Sequence, residues 1–243
     1  MQVSWFIDKI ANEFNGSEAM LFSDCCYSGG MVELARACTD TRVSFGALST
    51  TGCCNLGYSG WRFLDVLARA WAGDVAMDFD ETGTISFIEL CFFAERYMAF
   101  VAEGKPLYAS TKSFNEDLIL AKTDRPAKDG IGMFVEAREG KSWYKAEVID
   151  AKENGSNDPE EFLVHFTDKS RYAKQAWVAV DDIREYDFQE YEVGTRVEIR
   201  NADGQWLPGK VIDTFEHMHE CSYDGKSAAY NEWMSPSRIR PQQ

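Results

Sequence analysis

Residues 131–187 and 188–243 repeat one order of short segments, and that repetition constrains the fold more than any other feature. In the first copy Met133–Ala137, Trp143–Val148, Glu161–Phe166 and Ala176–Val178 are closed by Ile183 and Arg184. In the second, Thr195–Ile199, Trp206–Ile212, His219–Tyr223 and Asn231–Met234 are closed by Ile239 and Arg240. Apolar residues alternating at a period of two over such short runs predict antiparallel strands. Each copy holds enough of them for one small, all-β, five-stranded SH3-like barrel, and each ends on Trp, a short turn and Ile-Arg.

Upstream of a linker at 123–130, which contains Pro126 and mixed charge, the pattern is different. Phe6, Ile7, Ile10 and Phe14 fall at helical spacing, with Gly16 placed to end that helix. A strand over 19–23, a short helix over 31–37 and a buried strand over 42–48 follow. Ser59 or Gly60 is placed to cap a helix holding Trp61, Phe63, Leu64, Val66, Leu67 and Trp71, stopped by Gly73. A last helix over 87–101 is ended by Gly104, and the stretch 107–122, ending in Leu118-Ile119-Leu120-Ala121, looks like a closing strand. Residues 1–122 are therefore α/β, in contrast to the barrels.

Between the first strand and the next helix lies Asp24-Cys25-Cys26-Tyr27-Ser28-Gly29-Gly30. A thiol at a strand end, just before a helix N-terminus, sits where thiolate is favoured. Asp-x-Cys-x-Ser-Gly resembles the nucleophile motif of the caspase-like cysteine peptidases, and the order of elements over 1–122 is similar to the later part of their three-layer sandwich. The resemblance makes Cys26 the nucleophile of a cysteine-type endopeptidase and Asp24 the residue that selects Arg or Lys before the scissile bond. In that family the base is a His tens of residues upstream, on strands that would precede residue 1, whereas His165, His217 and His219 all lie downstream. The resemblance thus implies a fragment, with a missing N-terminal segment or a second chain supplying the His and the first strands. The plain alternatives are a buried free Cys26 and an Asp24 that caps the following turn. With the base absent, an inert pseudo-peptidase acting as an adaptor is the alternative function.

Asp78-Phe79-Asp80-Glu81-Thr82-Gly83-Thr84-Ile85-Ser86-Phe87-Ile88-Glu89-Leu90 fits the calcium loop of an EF-hand. The side chains of Asp78, Asp80 and Thr82, the carbonyl of Thr84, a water on Ser86 and both oxygens of Glu89 fall at ligand positions, with the bend at Gly83. Calcium is the expected ion and its binding is expected to be weak, since Thr82 replaces an Asp and only one loop is visible. A capped helix-turn-helix without an ion is the alternative.

The two repeats resemble Tudor-like and chromo-barrel modules, through Trp143-Tyr144-Lys145-Ala146-Glu147-Val148 and Trp206-Leu207-Pro208-Gly209-Lys210-Val211, and through Tyr223-Asp224-Gly225 and Glu232-Trp233-Met234. The resemblance implies an aromatic cage for a methylated Lys or Arg. Its residues would be Tyr144, Phe166 and Trp177 in the first copy, and Tyr223 and Trp233 in the second, with Tyr230 nearby and Leu207 in place of Tyr144. Aromatics filling a barrel core are the alternative.

A formal net charge of −15 disfavours nucleic acid as a partner and suits a basic or methylated peptide. Without a basic signal start or an apolar run of about 20 residues, no membrane association is expected. Seven Cys, including the adjacent pairs Cys25-Cys26 and Cys53-Cys54, show neither disulfide nor zinc spacing. Reduced thiols and an intracellular location follow, cytoplasmic or nuclear.

Overall fold

In the computed structural model, which describes residues 3–38, 42–52, 62–126, 128–153, 159–168, 174–201 and 203–242, helix α1 (Val3–Glu13) leads into strand β1 (Glu18–Ser23). Its buried face is Ile7 and Ala11, while Phe6 and Phe14 point outward. Helix α2 (Gly29–Arg36) then carries the chain across to β2 (Ser44–Ser49), parallel to β1 with Leu21 opposite Ala47. All six residues of β2 are buried, as expected of a central strand. At Gly46 a Cβ would stand 2.5 Å from the Phe114 ring, so glycine is what lets that ring close over the strand.

Helix α3 (Arg62–Ala72) ends at Gly73, which is left-handed at φ +82 as its position at a helix stop requires. The predicted caps Ser59 and Gly60, with Trp61 and the Cys53-Cys54 pair, lie outside the described residues. Strand β3 (Thr84–Ser86) opens helix α4 (Phe87–Ala102). That helix ends on Glu103, not on Gly104: Glu103 is left-handed at φ +53, and the Gly104 N–H reaches back to the Met98 carbonyl at 3.3 Å. This bond satisfies one of the last helical carbonyls.

The predicted closing strand divides in two. Strand β4 (Leu107–Ser110) runs antiparallel to β2, giving a sheet of order β1-β2-β4 in which β1 is an edge. Strand β5 (Ile119–Lys122) leaves that sheet and pairs antiparallel with β3, Ile85 facing Ala121. The expected linker then starts tied down, since the Thr123 N–H bonds the Gly83 carbonyl at 3.1 Å and the Asp124 N–H bonds the Gly73 carbonyl at 2.7 Å.

The first repeat forms β6 (Phe134–Glu139), β7 (Ser142–Glu153), β8 (Pro159–Phe166), β9 (Gln175–Ala179) and β10 (Ile183–Glu185), in sheet order β10-β6-β7-β8-β9. The second forms β11 (Arg196–Arg200), β12 (Trp206–Phe215), β13 (Met218–Tyr223), β14 (Glu232–Met234) and β15 (Ile239–Pro241), in the matching order β14-β13-β12-β11-β15. In each, all five strands contribute to one core, so the sheet must curl around it. Val135, Ala146, Val164 and Phe166 with Ala176 and Ile183 fill the first; Val197, Val211, Cys221, Met234 and Ile239 fill the second. Each fully buried Val, Ile, Met or Phe stabilises by about 1.5–3 kcal/mol.

The repeat extends to side-chain detail. Arg184 stacks on Trp143 with its guanidinium 4.2 Å from the ring centroid and bonds Glu136 at 2.8 Å; Arg240 stacks on Trp206 at 4.2 Å and bonds Glu198 at 2.6 Å. Both long strands bulge at the same place, between Val148 and Asp150 and between Val211 and Asp213.

Packing divides the chain into two interleaved units. One comprises Met1–Leu67, Cys91–Leu118 and Phe188–Gln243; the other comprises Ala68–Leu90 and Ile119–Asp187. Within the first, the C-terminal barrel is fastened to the end of α4. His217 Nε2 lies 2.8 Å from the Ala99 carbonyl, the Ser235 hydroxyl donates to Glu103 at 2.8 Å, and Arg96 donates to Glu216 at 3.1 Å. Within the second, Arg69 holds the fully buried Glu147 with two bonds, at 2.6 and 2.9 Å, and Asp74 at 2.7 Å. Burial opposes the Arg69 charge, but Glu147 and Asp74 outweigh it and keep the guanidinium protonated.

Candidate functional site

The thiol loop, 23–30, joins the end of β1 to α2. Cys26 and Cys25 are both exposed, so neither is the buried free thiol that the plain alternative requires. Tyr27, next in the chain, has φ +59, and the Ser28 N–H closes the turn on the Cys25 carbonyl at 3.2 Å. Buried Ser28 bonds Thr51 at 3.2 Å, and the Thr50 hydroxyl donates to Asp24 at 2.7 Å. Both fix the loop to the end of β2. The imidazoles sit in barrel strands or turns: His165 on β8, buried His217 beside the Ala99 carbonyl, and His219 on β13, whose Nε2 accepts the Tyr191 N–H at 3.0 Å.

The acidic loop folds as a closed cage of its own donors. Asp78 accepts from the N–H groups of Thr82 and Gly83, both at 2.9 Å. Glu89 accepts from the Phe79 N–H at 2.9 Å, the Ser86 N–H at 2.8 Å and the Ser86 hydroxyl at 2.7 Å. One carboxylate oxygen each from Asp78, Asp80 and Glu89 lies within 4.8 Å of the others. A hydrogen bond from the Thr82 side chain lowers the Asp80 pKa. Thr82 and Thr84 hydroxyls meet at 3.0 Å, and Gly83 is left-handed at φ +77. Strand β3, within this loop, is paired antiparallel with β5.

The cages expected from the Tudor-like resemblance do not assemble. Phe166 is fully buried in the first core, with Tyr144 edge-on to it at 6.2 Å between centroids. Trp177 pairs with Leu163, one residue out of phase with Val164 and Phe166, so the pleat sends it to the opposite face. In the second barrel Tyr223 is a core residue whose hydroxyl bonds Glu232 at 3.2 Å, and burial pushes its pKa up. Trp233 pairs with Glu220, again on the opposite face. Tyr230 is exposed, with Lys226 over its ring at 5.5 Å.

What the structure does build is an outer aromatic face on the second barrel. Trp233 and Phe215 stand edge to face, 6.4 Å between centroids at 88°. The ammonium of Lys105 lies 4.2 Å from the Trp233 centroid and 4.5 Å from that of Phe215. Glu95 is 3.8 Å from the same ammonium. Glu220 faces Asp213 across the strands, and its pKa is raised by burial and then by Asp213, opposed by Asn231 and Lys105. Phe215, Glu220 and Lys105 were not signalled as site residues by the cage pattern. Aligning the two repeats through their bulges would have found Phe215, since it replaces Lys152 of the first copy. Beside β12 a separate hollow is lined by Glu190, Glu192 and Glu216 with Tyr191, Thr214 and His219.

Residues 194–243 match the Agenet domain, a family of Tudor-like β-barrels, and the match spans β11 to β15. No curated protein matches the chain. Among the described residues no helix is long and apolar enough to cross a membrane.

Proposed function

We propose that the chain is a partner-recruiting adaptor whose C-terminal barrel takes a basic side chain of a protein or peptide, methylated lysine or arginine included, on the face of Trp233, Phe215 and Glu220. The observation that supports this is the pair of rings at right angles with an ammonium already against both, on an Agenet-type barrel. Two aromatic faces attract a cation by about 0.5–2 kcal/mol, and a methylated head group loses less water on entering than a bare one. Fluorescence polarisation with a labelled trimethyl-lysine peptide tests the reading. Trp233→Ala is expected to weaken binding about 5- to 30-fold; an unchanged affinity would sink it.

The loop 78–89 is proposed as a weak Ca²⁺ site held by Asp78, Asp80, Thr82, Thr84, Ser86 and Glu89. The three converging carboxylates support it. Calcium there competes with the hydrogen bonds that already occupy Asp78 and Glu89, which favours an affinity on the order of 10⁻⁴–10⁻³ M. Calorimetric titration of the parent and Asp78→Ala decides it, equal heats counting against an ion.

A caspase-like peptidase half-site is the second reading. It is favoured by the exposure of Cys26 between β1 and α2 and by the place of β1 at the edge of its sheet among the described residues. In it Cys26 attacks the carbonyl, Asp24 meets a basic residue, and the His comes from a preceding segment or another chain. Labelling by an Arg chloromethylketone that Cys26→Ser abolishes is the expected result. Equal labelling of both proteins, or none with the His-bearing segment added, would remove this reading.

A further inference from the structure

The two barrels differ at one informative place. Beyond their common bulge, Asp150 corresponds to Asp213, Leu163 to Glu220, Trp177 to Trp233 and Lys152 to Phe215. In the first barrel the tryptophan is covered from within: Lys152 Nζ is 4.1 Å from the Trp177 centroid and 2.6 Å from Glu161. In the second, that lysine has become Phe215 and Glu161 has become Met218, so a second ring stands where the first barrel has its cation. The cation on Trp233 comes instead from outside the barrel, from Lys105 in the turn between α4 and β4.

That turn is held against the barrel. The left-handed Glu103 accepts the Ser235 hydroxyl at 2.8 Å, two residues before Lys105. Lys105 is therefore held beside the rings by the fold itself. Its side chain is 22% exposed, and Glu95 holds it from the helix side.

We infer that Trp233, Phe215 and Glu220 form a lysine-binding site that the chain occupies with its own Lys105, so that a partner's lysine binds only by displacing it. The inference rests on the reading of this barrel as the recruiting module. It makes Lys105 a competitor built into the fold: any change that removes its charge opens the site, and a free lysine side chain sees an affinity lowered by the internal contact.

The chain of residues 1–243, with tryptophan indoles observed by NMR and Trp233 assigned from Trp233→Phe, provides the test. The probe is Nα-acetyl-Nε-trimethyl-lysine amide. Lys105→Gln is expected to bind it about 2- to 30-fold more tightly than the parent, read from the shift of the Trp233 indole, while Lys105→Arg keeps the parent's affinity. Equal affinities of Lys105→Gln and the parent would overturn the internal occupant and leave the recruiting site standing. An unmoved Trp233 in Lys105→Gln would overturn the site itself. Lys105→Met, which keeps the aliphatic stem over the rings, replaces Lys105→Gln should that variant unfold, and is read by the same outcomes.

Discussion

His219 is the most buried polar residue among the described residues of the C-terminal barrel, and its protonation state is set by its neighbours. Nε2 accepts the Tyr191 N–H, and Nδ1 is buried without a hydrogen-bond partner among the described residues, so the ring is neutral with its proton on Nδ1. Burial lowers its pKa below 6.5, opposed by Glu190. The unfolded chain thus binds the extra proton first, and stability falls as pH drops below about 6.5 until the folded ring titrates too. Glu95 and Glu220, raised by burial, act with the opposite sign near their own range, so comparison with a variant isolates the ring. His219→Gln keeps an acceptor for Tyr191 and cannot titrate; its urea midpoint should change less between pH 7.5 and 5.5 than the parent's. Equal slopes would refute the assignment. At this scale the sequence carried residue types well and their direction poorly. Phe166 and Tyr223 look like cage walls because they are aromatic and sit near strand ends, but alternation places them inward and Trp177 and Trp233 outward. A one-residue change of phase separates a core ring from an outward-facing ring.

The strands of both barrels were legible because period-two alternation survives wherever one face is buried and the other wet. Helices α1 to α4 were legible for the corresponding reason at helical spacing. The partner of β5 was not: four apolar residues after an α/β region read as one more strand of the main sheet, yet the Thr123–Gly83 and Asp124–Gly73 bonds draw that segment to β3. Strand pairing is a tertiary choice that local pattern does not encode. The repeat does make one element-scale difference testable. Gly209 stands where the first copy has Ala146, opposite Tyr223 as Ala146 is opposite Phe166. A Cβ at Gly209 would lie 2.3 Å from Ile199 Cδ1 and 2.4 Å from the Ser222 carbonyl oxygen. The side chain can turn away but the β13 backbone can move only by opening the β12–β13 ladder. Gly209→Ala should therefore cost about 1–3 kcal/mol in chemical denaturation, the range for overpacking a filled core. A cost below about 0.5 kcal/mol would mean that the ladder gives way more easily than its geometry implies.

Across the whole molecule, linear reading divides the chain at its linker, whereas packing interleaves it: the C-terminal barrel shares a unit with α1, α2 and the end of α4, and the first barrel with the acidic loop. His217, Glu216 and Ser235 create the first grouping through bonds to residues more than a hundred positions earlier, and no local periodicity carries that distance. Charge, by contrast, is a whole-chain property read directly from the sequence. A net charge of −15, with Glu190, Glu192 and Glu216 lining a hollow on the C-terminal barrel, sets up a field that attracts cations. The field and the rings act at different stages of binding. Attraction over a distance speeds encounter and is screened, the Debye length shrinking from about 10 Å at 0.1 M salt to about 3 Å at 1 M. A cation seated on Trp233 and Phe215 is in contact and partly desolvated, so salt reaches it far less. For a basic peptide carrying trimethyl-lysine, stopped-flow measurements across that salt range should show the association rate falling at least tenfold and the dissociation rate changing by less than about threefold. A salt effect concentrated in dissociation would instead mean that carboxylates, not the two rings, retain the bound peptide.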